Sequence, residues 1–207
     1  VQTCALPICT GFLTDAVTDL RAAHPQLRVE LTLTDRVVDL AASGAECWVC
    51  VGEVRDPGLV CRPLGRMERV LIATPELLKR TGPVTLARLP QLPCVGLVPY
   101  VTGNVRLIDR GGRSRIVALD TPIRTDSLLA SYRAVLNGAG IGAAAPWMCH
   151  DDMQAGRLKR VLPNWWLEPI GVHVALPPGL YRPARVTAFV EALRARMHAL
   201  PGFRVAQ

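Results

Sequence analysis

Residues 29–52, VELTLTDRVVDLAASGAECWVCVG, restrict the fold more than any other stretch of the chain. Val29, Leu31 and Leu33 alternate with Glu30, Thr32 and Thr34, the period of two of a half-buried strand. Asp35 precedes the apolar positions Val37, Val38, Leu40 and Ala41 and is suited to cap a short helix. Gly44 follows where a left-handed residue is wanted. The apolar run 47–51, closed by Gly52, has the character of a buried strand. Strand, helix and strand at this spacing make one βαβ unit, which implies a parallel sheet covered by helices.

The chain repeats that alternation. A helix is expected over 12–24, with Phe12, Leu13, Ala16, Val17, Leu20 and Ala23 on one face and His24-Pro25 as its stop. Residues 59–64 read as extended and 68–73 as a strand. Thr74-Pro75 opens a helix that Gly82-Pro83 closes. One helical turn over 85–89, a strand over 94–98 and a hairpin of 105–109 with 114–119 around Arg110-Gly111-Gly112-Arg113 follow. Thr125-Asp126 forms a second capped start, for a helix over 128–136. A buried strand at 141–145, a short helix at 146–155, a strand at 171–176 and a last helix carrying Val186, Phe189, Val190, Leu193 and Met197 complete the chain. The alternation changes character near residue 68. The expectation is therefore an α/β chain of two lobes, 11–67 with 167–200 and 68–166, with a cleft between them. Residues 1–10, VQTCALPICT, read as a non-native-looking segment, and no strand is expected before the first helix.

Composition narrows the function classes. Of 207 residues 50% are hydrophobic, enough for a full core and against disorder. No apolar run approaches the length that spans a bilayer, and no signal peptide is recognisable. The net charge of +7 comes from scattered arginines rather than a basic block, so it argues for solubility more than for nucleic acid. Seven cysteines without an even short-loop framework fit reduced thiols, and hence a cytoplasmic protein. Cys47 and Cys50, three apart on a strand, face opposite sides and cannot chelate one metal.

The strongest site signal is the set of capped helix starts, Asp35-Arg36, Thr74-Pro75 and Thr125-Asp126. Each follows an expected strand, where exposed N–H groups favour anions. Ordinary capping is the competing explanation for any one of them. Arg36 is suited to take a carboxylate bidentately. His150-Asp151-Asp152 reads as a solvated cap, His24 and His173 are isolated, and no serine lies in a G-x-S-x-G context. Gly138-Ala139-Gly140-Ile141-Gly142 ends a helix and begins a strand, the wrong order for a phosphate loop. Trp165-Trp166 reads as packing. No acid/base pair, nucleophile, metal set or cofactor motif emerges, so the chain is not expected to be an enzyme.

RVELTLTDRVVDLAASGAECWVCVG, LVCRPLGRMERVLIATPELLKRTG, TDSLLASYRAVLNGAGIG, AGRLKRVLPNW and ARVTAFVEAL, in that order, together resemble the effector-binding domain of LysR-type transcriptional regulators. The resemblance covers about residues 11–200. It implies a periplasmic-binding-protein-like fold, two Rossmann-like lobes flanking an effector cleft, and homodimers that set helix 12–24 and strand 29–33 against helix 127–137 of the partner. It also implies a small-molecule effector, for which an anion is a candidate, with Arg36, Thr74, Tyr100, Thr125 and Asp126 as ligand contacts and no cofactor. DNA would be bound only through a winged helix-turn-helix that is missing from this chain. A solute-binding protein of a transport system shares the fold and is the alternative; the thiols and the lack of a signal peptide weigh against it.

Overall fold

A computed structural model describes residues 2–4, 11–34, 40–53, 56–179 and 183–206. The chain divides into two compact units, Val1–Met67 with Ile170–Gln207, and Glu68–Pro169.

Unit 1 is built on β3 (Trp48–Val51), whose residues are all buried. β1 (Gln2–Cys4) lies parallel to β3 with Gln2 opposite Trp48, and β2 (Thr32–Thr34) lies parallel to β1 with Thr3 opposite Leu33. β11 (Trp165–Leu176) runs antiparallel along β3, with Val172 opposite Val51 and Ala175 opposite Trp48. The expectation that no strand precedes the first helix is corrected by β1. Its residues carry little local strand signal, and pairing with two neighbours supplies what propensity does not. Only residues 32–34 of the alternating 29–34 run are paired. α1 (Phe12–Ala23) buries Phe12, Leu13, Ala16 and Leu20 and packs against α6 (Ala184–His198), which buries Val186, Phe189, Leu193 and Met197. Arg196 spans the pair, its Nε and Nη2 donating to the Asp19 carboxylate at 2.5 and 2.6 Å. α2 (Leu40–Ser43) is a single turn, ended by Gly44 at φ +68°.

β4 (Val60–Ala73) replaces the two segments expected at 59–64 and 68–73. Gly65, which suggests a break, serves close approach instead. β12 (Phe203–Val205) pairs antiparallel with residues 65–67, and a Cβ at Gly65 would fall 2.3 Å from the Arg204 carbonyl oxygen.

In unit 2, residues 70–73 of β4 are flanked by β9 (Gly142–Ala144) and β10 (Lys159–Val161), both antiparallel to it. Ile141, just before β9, bridges Cys94 in the parallel sense, so β5 (Pro93–Leu97) runs with β9 and against β4. β8 (Asp120–Thr125) is parallel to β5, with Leu97 opposite Thr125. β6 (Asn104–Asp109) and β7 (Ser114–Ala118) form the expected hairpin, and β6 pairs with the start of β11, Ile108 opposite Trp166. Leu71, Leu89, Leu107, Ile141 and Leu167 lie in the core of this unit. Three helices complete it: α3 (Pro75–Thr81), α4 (Leu128–Leu136) and α5 (Pro146–Gln154). The helical turn expected over 85–89 is present, with Leu89 N–H donating to the Thr85 carbonyl at 3.0 Å, and it runs on into a 3-10 turn at Leu89–Gln91, since Pro90 has no N–H to continue an α-helical ladder. Among the described residues no helix is long and apolar enough to cross a membrane.

Candidate functional site

Strand direction decides which helix starts share a surface. Thr125 ends β8 and Thr74 follows β4, which runs against β5 and β8. The two threonines therefore stand at opposite ends of the unit 2 strands. This corrects the grouping of Thr74 with Thr125-Asp126. Thr74 is 5% exposed, and its Oγ1 accepts from Leu77 N–H at 3.3 Å as the cap of α3. That hydroxyl sits 3.5 Å from where a Cβ on Gly138 would be, beyond the C-terminal end of α4. With Leu129, Tyr132, Arg133, Asp152 and Arg157, Thr74 lines a recess of about 750 Å³.

Tyr100 and Thr125 are brought together. The Thr125 carbonyl accepts from Val98 N–H at 2.9 Å, and Tyr100 lies two residues along that loop, half-buried against the unit core. Thr125 Oγ1 accepts from Ser127 N–H at 3.1 Å. Thr125 is not the helix cap that the sequence suggests, because it still completes β8. Ser127 caps α4 instead, its Oγ accepting from Ala130 N–H at 3.4 Å. Asp126, between them, is exposed. Arg36, with Asp35, lies outside the described residues.

Arg69 joins this end of unit 2 and was not singled out in the sequence. Its Nη1 donates to the Tyr100 carbonyl at 3.3 Å; Nη2 and Nε donate to the Glu168 carbonyl at 2.6 and 3.3 Å. Burial pushes its pKa down to about 10, against the opposing pull of Glu168 and Tyr100. The Glu168 carboxylate also stands near Arg106, with Oε2 3.8 Å from its Nε. No motif marks such a residue, because its acceptors are backbone carbonyls 31 and 99 positions away.

The other candidates resolve as structure. Asp152 is not merely solvated: it accepts from Tyr132 Oη and from Arg157 Nε, each at 2.5 Å, and so ties α5 to α4. His150 and Asp151 are exposed. The Trp166 ring carries Arg160 at 4.2 Å and Arg110 at 5.3 Å from its centroid, so the tryptophan pair is more than packing. Cys47, Cys50, Cys94 and Cys149 are buried free thiols, while Cys61 is exposed. Among the described residues no group of three or more His, Cys, Asp or Glu could hold a metal ion.

Comparison with known proteins extends these observations. The model of the LysR substrate binding domain family matches residues 3–198. The HTH-type transcriptional regulator PtxR of Pseudomonas aeruginosa is 32% identical over 184 residues, spanning 88% of this chain and 59% of its own length. The HTH-type transcriptional regulator DmlR of Escherichia coli is 29% identical over 182 residues, spanning 86% and 59%. The chain thus spans about three fifths of the length of these curated relatives. Among solved structures, the regulatory domain of CrgA, a LysR-type transcriptional regulator from Neisseria meningitidis, superposes with a TM-score of 0.78 at 19% identity, covering 94% of this chain and 96% of that one. Full-length AphB of Vibrio cholerae gives 0.77 at 17% identity, covering 94% and 66%. The mixed α/β fold is that of these regulatory domains, periplasmic-binding-protein-like.

Proposed function

Since the chain belongs to the LysR substrate binding domain family, a family of binding domains rather than enzymes, we propose that it is the effector-sensing and dimerising module of a cytoplasmic LysR-type transcriptional regulator. The observation that carries the reading is the family match over residues 3–198. DNA contact belongs to a helix-turn-helix domain outside these residues, as the names and greater length of the relatives suggest.

On this reading a small-molecule effector acts at the cleft that the family resemblance implies, and Tyr100, Thr125 and Asp126 are its contacts in unit 2. The juxtaposition of the Val98–Tyr100 loop with Thr125 supports that assignment. Thr74 is left out of the site, since its hydroxyl is committed to α3 at the other end of the strands. Dimerisation uses α1 and β2 against α4 of a partner copy. Two features support it: β2 pairs only with β1 among the described strands, and Leu129 on α4 is 50% exposed. An effector changes the dimer only through its differential affinity for two arrangements.

The test is operator binding by the full-length gene product. The reading expects salt-dependent, sequence-specific binding to DNA upstream of a regulated gene, altered by a small molecule. Absence of specific binding at every salt concentration would remove it.

A further inference from the structure

We propose that the recess beside α1 and α6 in unit 1 seats an apolar side chain of the segment that precedes β1 in the full-length gene product; the inference rests on the regulator reading above, which puts a DNA-binding domain upstream. The recess holds about 240 Å³. Leu20, Cys47, Val186 and Phe189 form apolar walls, and each is 5% exposed or less. Cys47 precedes Trp48, which packs with Leu40 on the other face of the sheet, so Cys47 belongs to the face that α1 and α6 cover. Half-buried Leu27 and exposed Arg28 complete the lining toward solvent. Protein interiors leave few voids larger than a water molecule, and an apolar cavity of roughly 150 Å³ takes a benzene-sized group, so this space suits a large apolar side chain. A charged occupant finds no open partner in Arg185 or Glu46, which pair with each other, Arg185 Nε donating to both Glu46 carboxylate oxygens at 2.9 Å.

Strand register brings the upstream segment to this recess. β1 lies parallel to β3 with Gln2 opposite Trp48, and parallel to β2 with Gln2 opposite Thr32. Chain entering β1 therefore arrives level with Cys47 on one side and Leu31 on the other, between the lining stretches 27–30 and 43–47. This chain spans 59% of PtxR and 59% of DmlR, and on the regulator reading the rest of such a protein enters through β1. A side chain tethered within a few residues of the recess has an effective concentration of about millimolar, so it outcompetes a dilute free solute for the same walls. Its seating would fix the direction in which the upstream segment leaves unit 1.

The experiment uses the full-length gene product with p-benzoylphenylalanine in place of Arg28. After irradiation, the cross-linked product should run as a single chain on a denaturing gel, and peptide mass spectrometry should map the link to residues directly preceding β1. A second arm follows hydrogen exchange in the same segment. Leu27→Asp, which sets a charge against the apolar walls, should speed that exchange about tenfold or more, the factor that burying one apolar side chain is worth. The β6–β7 hairpin of unit 2 should exchange as before and serves as the folding control. If Leu27→Asp fails to fold, the cross-link at position 28 decides alone. Links only to a second copy, no link near β1, or exchange unchanged in a folded Leu27→Asp would each overturn the inference. Specific operator binding together with such a failure leaves the regulator reading standing, whereas absence of operator binding removes that reading separately.

Discussion

Replacing Thr74 with valine separates capping from ligand contact, two roles that a Thr-Pro helix start presents alike. Valine keeps the branched shape and volume and removes only the hydroxyl. At φ −73° and ψ 149° the cap residue is extended, a conformation that valine adopts readily. The substitution leaves the Leu77 N–H without its acceptor, next to a side chain that is 1% exposed. Loss of a cap costs about 0.5–2 kcal/mol. The native bond, at 3.3 Å, is slightly longer than the normal N–H···O range, which points to no more than about 1 kcal/mol. In a chain of 207 residues that corresponds to a fall in Tm of about 2–4 °C. Effector affinity, measured by calorimetry, should stay within about twofold, because Thr74 stands away from Tyr100 and Thr125. Thr74→Ser should restore the Tm. A loss of effector affinity of about tenfold with an unchanged Tm would refute the strand-direction argument, for it would place Thr74 in the site after all.

The converse holds for Thr125→Val, which should weaken the effector about tenfold while costing no more than about 1 kcal/mol of stability, the worth of one hydrogen bond; calorimetry with thermal unfolding checks both. Burial raises the pKa of Asp152, but hydrogen bonds from Tyr132 and Arg157 outweigh it and hold the carboxyl below its usual value. A lowered folded pKa contributes stability that is present above the unfolded value of about 3.9 and lost as pH falls through the folded one. Tyr132→Phe should bring the two pKa values closer and flatten the acid limb of a Tm-against-pH curve; an unaltered limb would contradict the assignment. Burial pushes the thiols of Cys47 and Cys149 up to about 11 and that of Cys94 up to about 12. Among Cys47, Cys50, Cys61, Cys94 and Cys149, exposed Cys61 should therefore be alkylated first in the native protein, as read by peptide mass spectrometry.

Local chemistry was legible in the sequence, and pairing across long separations was not. The α3 helix is recognisable because Thr74, Pro75 and Gly82 act within one element, and Gly82 takes φ +72° as a helix stop requires. The β6–β7 hairpin is marked by its own Gly111-Gly112 turn. β1 is not legible, since its three residues are strand only through β2 and β3. Gly65 misleads because a glycine that admits a neighbouring backbone looks like one that ends a strand. The site divides the same way. Thr74 follows a strand and Thr125 ends one, each shortly before a helix, and only the antiparallel course of β4 against β9 sends them to opposite ends. Arg69 resembles any surface arginine until Tyr100 and Glu168 are folded beside it.

The central claim is that this domain couples a small molecule to DNA, and a linkage measurement on the full-length regulator tests it most directly. Operator affinity is measured with and without saturating effector, and effector affinity with and without saturating operator. The account predicts that both ratios depart from one, typically about 5- to 150-fold, and that they are equal. An operator affinity that the bound effector leaves unchanged would contradict it.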